Sequence, residues 1–240
     1  IRDVLGSRGL GDVYKRQMKG QTIGVIGGTG SGKSSLVNLI PRLYDATQGE
    51  VLVDGVNVKD YDIEALRNKV GIVMQKAVLF KGTIRENMWM GKKGATDEQI
   101  DEALEISQSK EFVDSKQGRL DYVIEQGGKN LSGGQRQRLT IARAIVRKPD
   151  VLILDDSASA LDFATDAALR KAIRGMNNSP TVFIVSQRAA SLMYADLIIV
   201  LDDGQVAGMG THDELLANCE VYKEIYESQF KKADSEGGVA

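Results

Sequence analysis

The eight residues Gly27-Gly-Thr-Gly-Ser-Gly-Lys-Ser34 restrict the fold more than any other stretch of the chain. An apolar, β-branched run, Thr22–Ile26, leads into them, and Leu36, Leu39, Ile40 and Leu43 follow on one helical face. Strand, glycine-rich loop and helix in that order let successive backbone N–H groups curl around an anion at a helix N-terminus. The spacing fits the phosphate-binding loop G-x-x-x-x-G-K-[ST], with Gly27, Gly28, Thr29, Gly30, Ser31 and Gly32 as the cradle. Lys33 is expected to reach the terminal phosphates of a nucleotide, and the Ser34 hydroxyl to bind Mg²⁺; Ser35 completes the binding set. The residues alone leave one alternative, a glycine-rich turn before a helix.

Four more short runs, Val70–Met74, Val151–Leu154, Thr181–Val185 and Leu197–Leu201, are apolar at nearly every position instead of alternating. Strands covered on both faces read this way, which predicts an α/β fold with a mostly parallel sheet, a P-loop NTPase of RecA-like type. Asp54-Gly55 within Glu50–Val58, and Asp203-Gly204 within Leu197–Met209, predict two hairpins and hence a small antiparallel β sub-domain. From about residue 83 to 147 the pattern is mainly helical, a helical sub-domain insertion, with Leu139, Ala142, Ala144, Ile145 and Val146 forming a largely apolar helix. Thr96-x-x-Gln99, Ser132-x-x-Gln135 and Thr211-x-x-Glu214 fit capping boxes that start helices.

The remaining composition excludes more than it suggests. A single cysteine, Cys219, rules out a disulfide framework and a thiolate metal cluster and fits a reducing setting. The net charge of −2 gives no reason to expect nucleic acid as a partner. No apolar run approaches the ~20 residues that span a bilayer, so any membrane role comes through other segments or partners. Residues 1–17 show neither period nor core face and are similar to translated sequencing-adapter strings. They are expected to be a non-native leader, with the domain proper at 18–230 and a polar, frayed tail at 231–240.

Val151-Leu-Ile-Leu-Asp-Asp156 places two carboxylates side by side at the end of a buried strand. A phosphate loop needs an acidic partner for its metal, and Asp155 is the natural Mg²⁺ carboxylate. Taken alone, it also fits a helix N-cap at a strand end.

Leu131-Ser-Gly-Gly-Gln135, together with these motifs, resembles the signature of the ATP-binding cassette family, and the resemblance runs from about Met18 to Phe230. It implies ATP and Mg²⁺ as ligands. It places the Q-loop glutamine at Gln75, a Mg²⁺ contact that also has a catalytic role, and the D-loop at Ser159-Ala-Leu-Asp162, where Asp162 lies near nucleotide. Glu125–Asn130 resembles the segment exporters use to contact their coupling helices, and Gly210–Leu215 the ending of exporter cassettes. Ser132, Gly133, Gly134 and Gln135 would serve the nucleotide of an opposite subunit. The residues themselves also allow Ser132 and Gln135 merely to cap a helix.

Two positions depart from the family. Asp156 stands where a water-polarising glutamate is usual, and Gln187 where the switch histidine is usual. The one histidine, His212, is expected at the surface. The resemblance therefore implies the slow-site half of a heterodimeric exporter on the cytoplasmic face of the plasma membrane, with a second half-transporter and transmembrane domains as partners. A cassette missing its first strands is implied too, because no adenine-stacking aromatic is evident upstream. The alternatives are a nucleotide-gated regulatory cassette without turnover and a soluble non-transport ABC ATPase.

Overall fold

The computed structural model describes residues 19–157 and 160–236, so the leader and Ser159 lie outside the described residues. The chain divides into two compact units, residues 19–67 with 181–236, and residues 68–180. The first segment carries β1 (Thr22–Gly27), α1 (Lys33–Asn38), β2 (Leu52–Val53), β3 (Val56–Asn57) and α2 (Ile63–Lys69). The middle segment carries β4 (Val70–Val73), β5 (Gly82–Thr83), α3 (Ile84–Trp89), α4 (Asp97–Ile106), α5 (Lys110–Asp114), β6 (Val123–Ile124), α6 (Gly133–Ile145), β7 (Val151–Asp155) and α7 (Phe163–Arg174). The last carries β8 (Thr181–Val185), β9 (Leu197–Asp202), β10 (Gln205–Gly210), α8 (His212–Asn218) and α9 (Glu220–Glu236).

In the first unit β1 lies between β8 and β9 and runs parallel to both, while β10 closes the edge antiparallel to β9. Every residue of β1 and β8 is buried, which is why these strands read as unbroken apolar runs. Both anticipated hairpins form. Asp54 and Gly55 have φ of 52° and 79°, and Asp203 and Gly204 have 44° and 76°, the paired positive angles of a tight hairpin turn. The helical face read after the phosphate loop needs correction. α1 stops at Asn38, so Val37 and Ile40 face the core, Leu36 and Leu39 are half-buried, and Leu43 is exposed. The 3.6-residue period ceases to hold once the helix ends.

In the second unit β4 and β7 pair in parallel, Val70 with Val151 through Val73 with Leu154; Met74 falls past the strand and is exposed. A Cβ on Gly71 would lie 2.9 Å from the Ala144 carbonyl oxygen, so β4 meets α6 backbone to backbone. The helical stretch is interrupted by a ladder of β5 with β6 too short to leave a periodic signal. α4 buries Ile100, Ala103 and Leu104, and α6 buries Leu139, Ile141, Ala142 and Ile145. All three expected capping boxes are present, at Thr96, Ser132 and Thr211, with a fourth at Thr83. Arg85 pairs with Asp97 and Asp121, and Arg119 with Asp101 and Asp114, tying the helical segments together at their rims. Among the described residues no helix is long and apolar enough to cross a membrane.

Two expectations fail at the C-terminus. α9 continues to Glu236, so residues 231–236 are helical rather than frayed. His212 is half-buried, with Nδ1 2.8 Å from the Tyr222 hydroxyl and its ring against Tyr222 and Tyr226. A capping segment is ordinarily exposed, but α9 folds back over this one. Burial, helped by Tyr226 nearby, pushes the Tyr222 phenol up to about 12 from an ordinary value of 10.0. With the folded-state value above the unfolded one, the unfolded chain loses this proton first, and stability falls as pH rises from 10 to 12. Tyr222→Phe is expected to flatten that alkaline loss by roughly 2 kcal/mol, read from denaturant midpoints between pH 9 and 12.

Candidate functional site

The phosphate loop leaves β1 where backbone approaches backbone. A Cβ on Gly27 would stand 2.1 Å from the Leu201 carbonyl oxygen and 2.6 Å from Ser31 Oγ, so only glycine fits. Gly30 and Gly32 have φ of 84° and 91°, the left-handed region that curls the loop before α1 begins. Lys33 folds back across it and is 9% exposed; its Nζ donates to the carbonyls of Gly27 at 2.9 Å and Gly28 at 2.6 Å and to Ser31 Oγ at 3.4 Å. Gly28, Thr29 and Gly30 remain exposed around this ammonium, with Ser34 and Ser35 exposed on the first helical turn. The arrangement is a cradle of backbone donors with a cation already drawn over it, suited to a polyphosphate.

A cavity of about 450 Å³ opens beside the loop, lined by Leu36, Leu39, Val51, Leu201 and Val206, with Ser31 and Ser35 at its rim. This explains why Leu36 and Leu39 are half-buried instead of packed.

In the same unit β8 ends beside β1, and the Ser186 N–H still donates to the Val25 carbonyl at 3.1 Å. Gln187 follows as an exposed residue at the strand's carboxyl end, on the strand neighbouring the one that feeds the loop. Gln229 on α9 bonds the backbone here, a contact that nothing in the sequence signals.

In the second unit, register brings two of the anticipated residues together. Val73 pairs with Leu154, so Gln75 and Asp156, each two positions further along parallel strands, emerge side by side. Gln75 Nε2 donates to Asp156 Oδ2 at 3.2 Å. Asp156 has φ of 46°, a left-handed value that aspartate tolerates better than most residues, and it turns the chain out of β7. Asp155, the last residue of that strand, is buried at 5% exposure.

Ser132 caps α6: its Oγ accepts from the Gln135 N–H at 3.2 Å, and Gln135 Oε1 accepts from the Ser132 N–H at 3.1 Å. The cap engages those groups and not the N–H groups of Gly133 and Gly134, so capping and anion binding are compatible at this helix end. A Cβ on Gly134 would lie 3.3 Å from the Ala160 carbonyl oxygen, which seats the start of α6 against the residues before Asp162. Asp162 itself caps α7, accepting from Thr165 N at 2.9 Å and Thr165 Oγ1 at 2.7 Å, and these bonds hold its carboxyl below the usual range. The Glu125–Asn130 segment is held by Asn130, whose side chain accepts from the Glu125 N–H and donates to the Val123 carbonyl.

Lys33→Met keeps a side chain of similar length but removes the cation. Affinity for ATP is expected to fall roughly 10- to 100-fold in a titration with unhydrolysed nucleotide, the range set by losing a hydrogen-bonding charge.

Comparison with known proteins agrees with this geometry. A family model described as ABC transporter matches residues 12–159. An uncharacterized ABC transporter ATP-binding protein of Bacillus subtilis is 46% identical over 216 residues, covering 90% of this chain and 37% of that protein. A Staphylococcus aureus protein provisionally named a multidrug export ATP-binding/permease protein is 39% identical over 220 residues, 92% of this chain and 38% of the other. The structure of a bacterial Atm1-family ABC exporter with ATP bound matches with a TM-score of 0.84 at 33% identity, over 88% of this chain and 37% of that one. The chain thus spans well under half the length of the curated relatives it matches. With the family model matching well over half of the chain and a relative 46% identical over nine-tenths of it, the chain belongs to the ABC transporter family.

Proposed function

We propose that this chain is the ATP-binding and ATP-hydrolysing domain of an ABC exporter, and that its own site holds nucleotide firmly and cleaves it slowly. The observation that carries the second part is the pair Asp156 and Gln187, which stand where a water-polarising glutamate and a switch histidine are usual, while Lys33 and Ser34 of the phosphate loop are present. The exporter reading is supported by the likeness to the ATP-bound Atm1-family structure and to the Staphylococcus aureus protein. On this reading the domain works at the cytoplasmic face of the plasma membrane, attached to transmembrane helices and paired with a second half-transporter.

Binding follows from the loop. Lys33 exchanges the Gly27 and Gly28 carbonyls for phosphate oxygens, while the backbone donors of residues 28–34 surround them. Ser34, Gln75 and Asp155 would hold Mg²⁺ through a hydroxyl, an amide oxygen and a carboxylate, a set of oxygen donors suited to a hard cation that also takes water and phosphate as ligands. When bound, Mg²⁺ supplies charge neutralisation at the phosphates. Among the described residues no group of three or more His, Cys, Asp or Glu competes as a separate metal site.

Cleavage is where the chain falls short. A general base works at a heavy-atom distance of about 2.6–3.2 Å, and a misplacement near ~1 Å costs on the order of 10²-fold in rate. Asp156 is one methylene shorter than glutamate, and one of its oxygens accepts from Gln75 at 3.2 Å. Gln187 can donate a hydrogen bond to a phosphate oxygen but carries no positive charge and passes no proton. The signature residues Ser132–Gln135 carry no such departure and serve the partner's nucleotide. The partner supplies the glutamate and histidine missing here.

In the assembled transporter, Asp156→Glu combined with Gln187→His is expected to raise hydrolysis at this site by on the order of 10²-fold, more than the product of the single effects, because water and phosphate contacts act as a unit. Independent small gains, or none, in a single-site turnover assay contradict the shared mechanism.

A further inference from the structure

We propose that Gln229, on the C-terminal helix α9, is a positioning residue for the segment that presents Gln187. Past Val185 the ladder between β8 and β1 ends with the bond from Ser186 N–H to the Val25 carbonyl. Three of the backbone groups that follow, the Gln187 carbonyl and the N–H groups of Arg188 and Ala189, are met by side chains. Arg188 is extended, with φ of −98° and ψ of 116°, so the Gln187 carbonyl and the Ala189 N–H flank it on one edge. Gln229 takes both: its Nε2 donates to the Gln187 carbonyl at 2.7 Å, and its Oε1 accepts from the Ala189 N–H at 2.9 Å. Ser186 Oγ accepts from the Arg188 N–H at 2.9 Å. One primary amide thus stands in for a missing strand neighbour.

The chemistry demands this residue type. The Ala189 N–H opens the short turn Ala189–Ser191 and has no carbonyl of that turn to donate to. Ala189 is 0% exposed, so leaving the donor unmet is costly. Glutamate at 229 keeps only the acceptor, and methionine keeps neither group at similar length. The helix is itself anchored about two turns earlier on the same face by Tyr222, which is 0% exposed. A shift of α9 is thereby transmitted to the backbone carbonyl of Gln187, while the Gln187 side chain stays exposed for its task. The contact stands independently; its consequence for turnover rests on the reading of Gln187 given above.

The test uses the intact transporter carrying Gln229→Met, Gln229→Glu or, in parallel, Gln187→Ala, with residue-resolved hydrogen exchange and hydrolysis measured at this site. Gln229→Met is expected to speed exchange at Ala189 by about tenfold, the equivalent of one lost hydrogen bond, while Gln229→Glu retains protection there. Both Gln229 variants lower kcat severalfold with little change in KM, because both lose the donor to the Gln187 carbonyl. Unaltered exchange at Ala189 in Gln229→Met, or loss of protection spread evenly along α9, overturns the proposal. So does a kcat lowered by Gln187→Ala but not by Gln229→Met. If exchange at Ala189 rises and none of the three variants moves kcat, the clamp is upheld, and the role given to Gln187 is what fails.

Discussion

A side chain on Gly27 would have to occupy the space of the Leu201 carbonyl oxygen, and this close approach of β9 to the end of β1 fixes where the phosphate loop leaves the sheet. The loop's left-handed turns at Gly30 and Gly32 follow from that exit, and so does the return of Lys33 over the Gly27 and Gly28 carbonyls. Within the first unit, parallel pairing of β8 with β1 brings Gln187 out beside the loop's strand; within the second, parallel pairing of β4 with β7 brings Gln75 and Asp156 out together.

Binding and cleavage draw on different parts of this frame. On the proposed reading binding relies on a cation gathered at one loop, where Lys33 exchanges the Gly27 and Gly28 carbonyls for phosphate oxygens. On the same reading cleavage relies on the reach of one carboxylate and the charge of one ring, and at those positions the chain carries Asp156 and Gln187. The hydrogen bond from Gln75 to Asp156 fits the same division, since it gives one carboxylate oxygen a neutral partner beside the buried Asp155. On the proposed reading the two adjacent aspartates divide the work, Asp155 toward a metal and Asp156 toward water.

Much of this was legible in the sequence wherever a signal repeats or is stereochemically forced. Continuous apolar runs gave all five long buried strands because both faces are covered, and the Asp-Gly pairs gave both hairpins because few residues accept paired positive φ. The capping boxes were readable for the same reason. What escaped has no period. α1 is too short for Leu43 to stay on its face, and the β5–β6 ladder is too brief to alternate. His212 reads as a surface cap until α9 is known to fold back over it, and Gln229 is a single polar residue whose partners lie some forty positions earlier. Of the anticipated site residues, the structure assigns Ser132 and Asp162 definite capping roles in addition to those implied by resemblance.

On the proposed reading this pocket clasps Mg·ATP and rarely cleaves it. The most direct test is a single-turnover, rapid-quench measurement on the assembled pair with the partner's catalytic glutamate replaced by glutamine. Labelled ATP is expected to occupy this site and stay intact while the unmodified complex completes many cycles. An empty pocket, or cleavage as fast as in the unmodified complex, would contradict it.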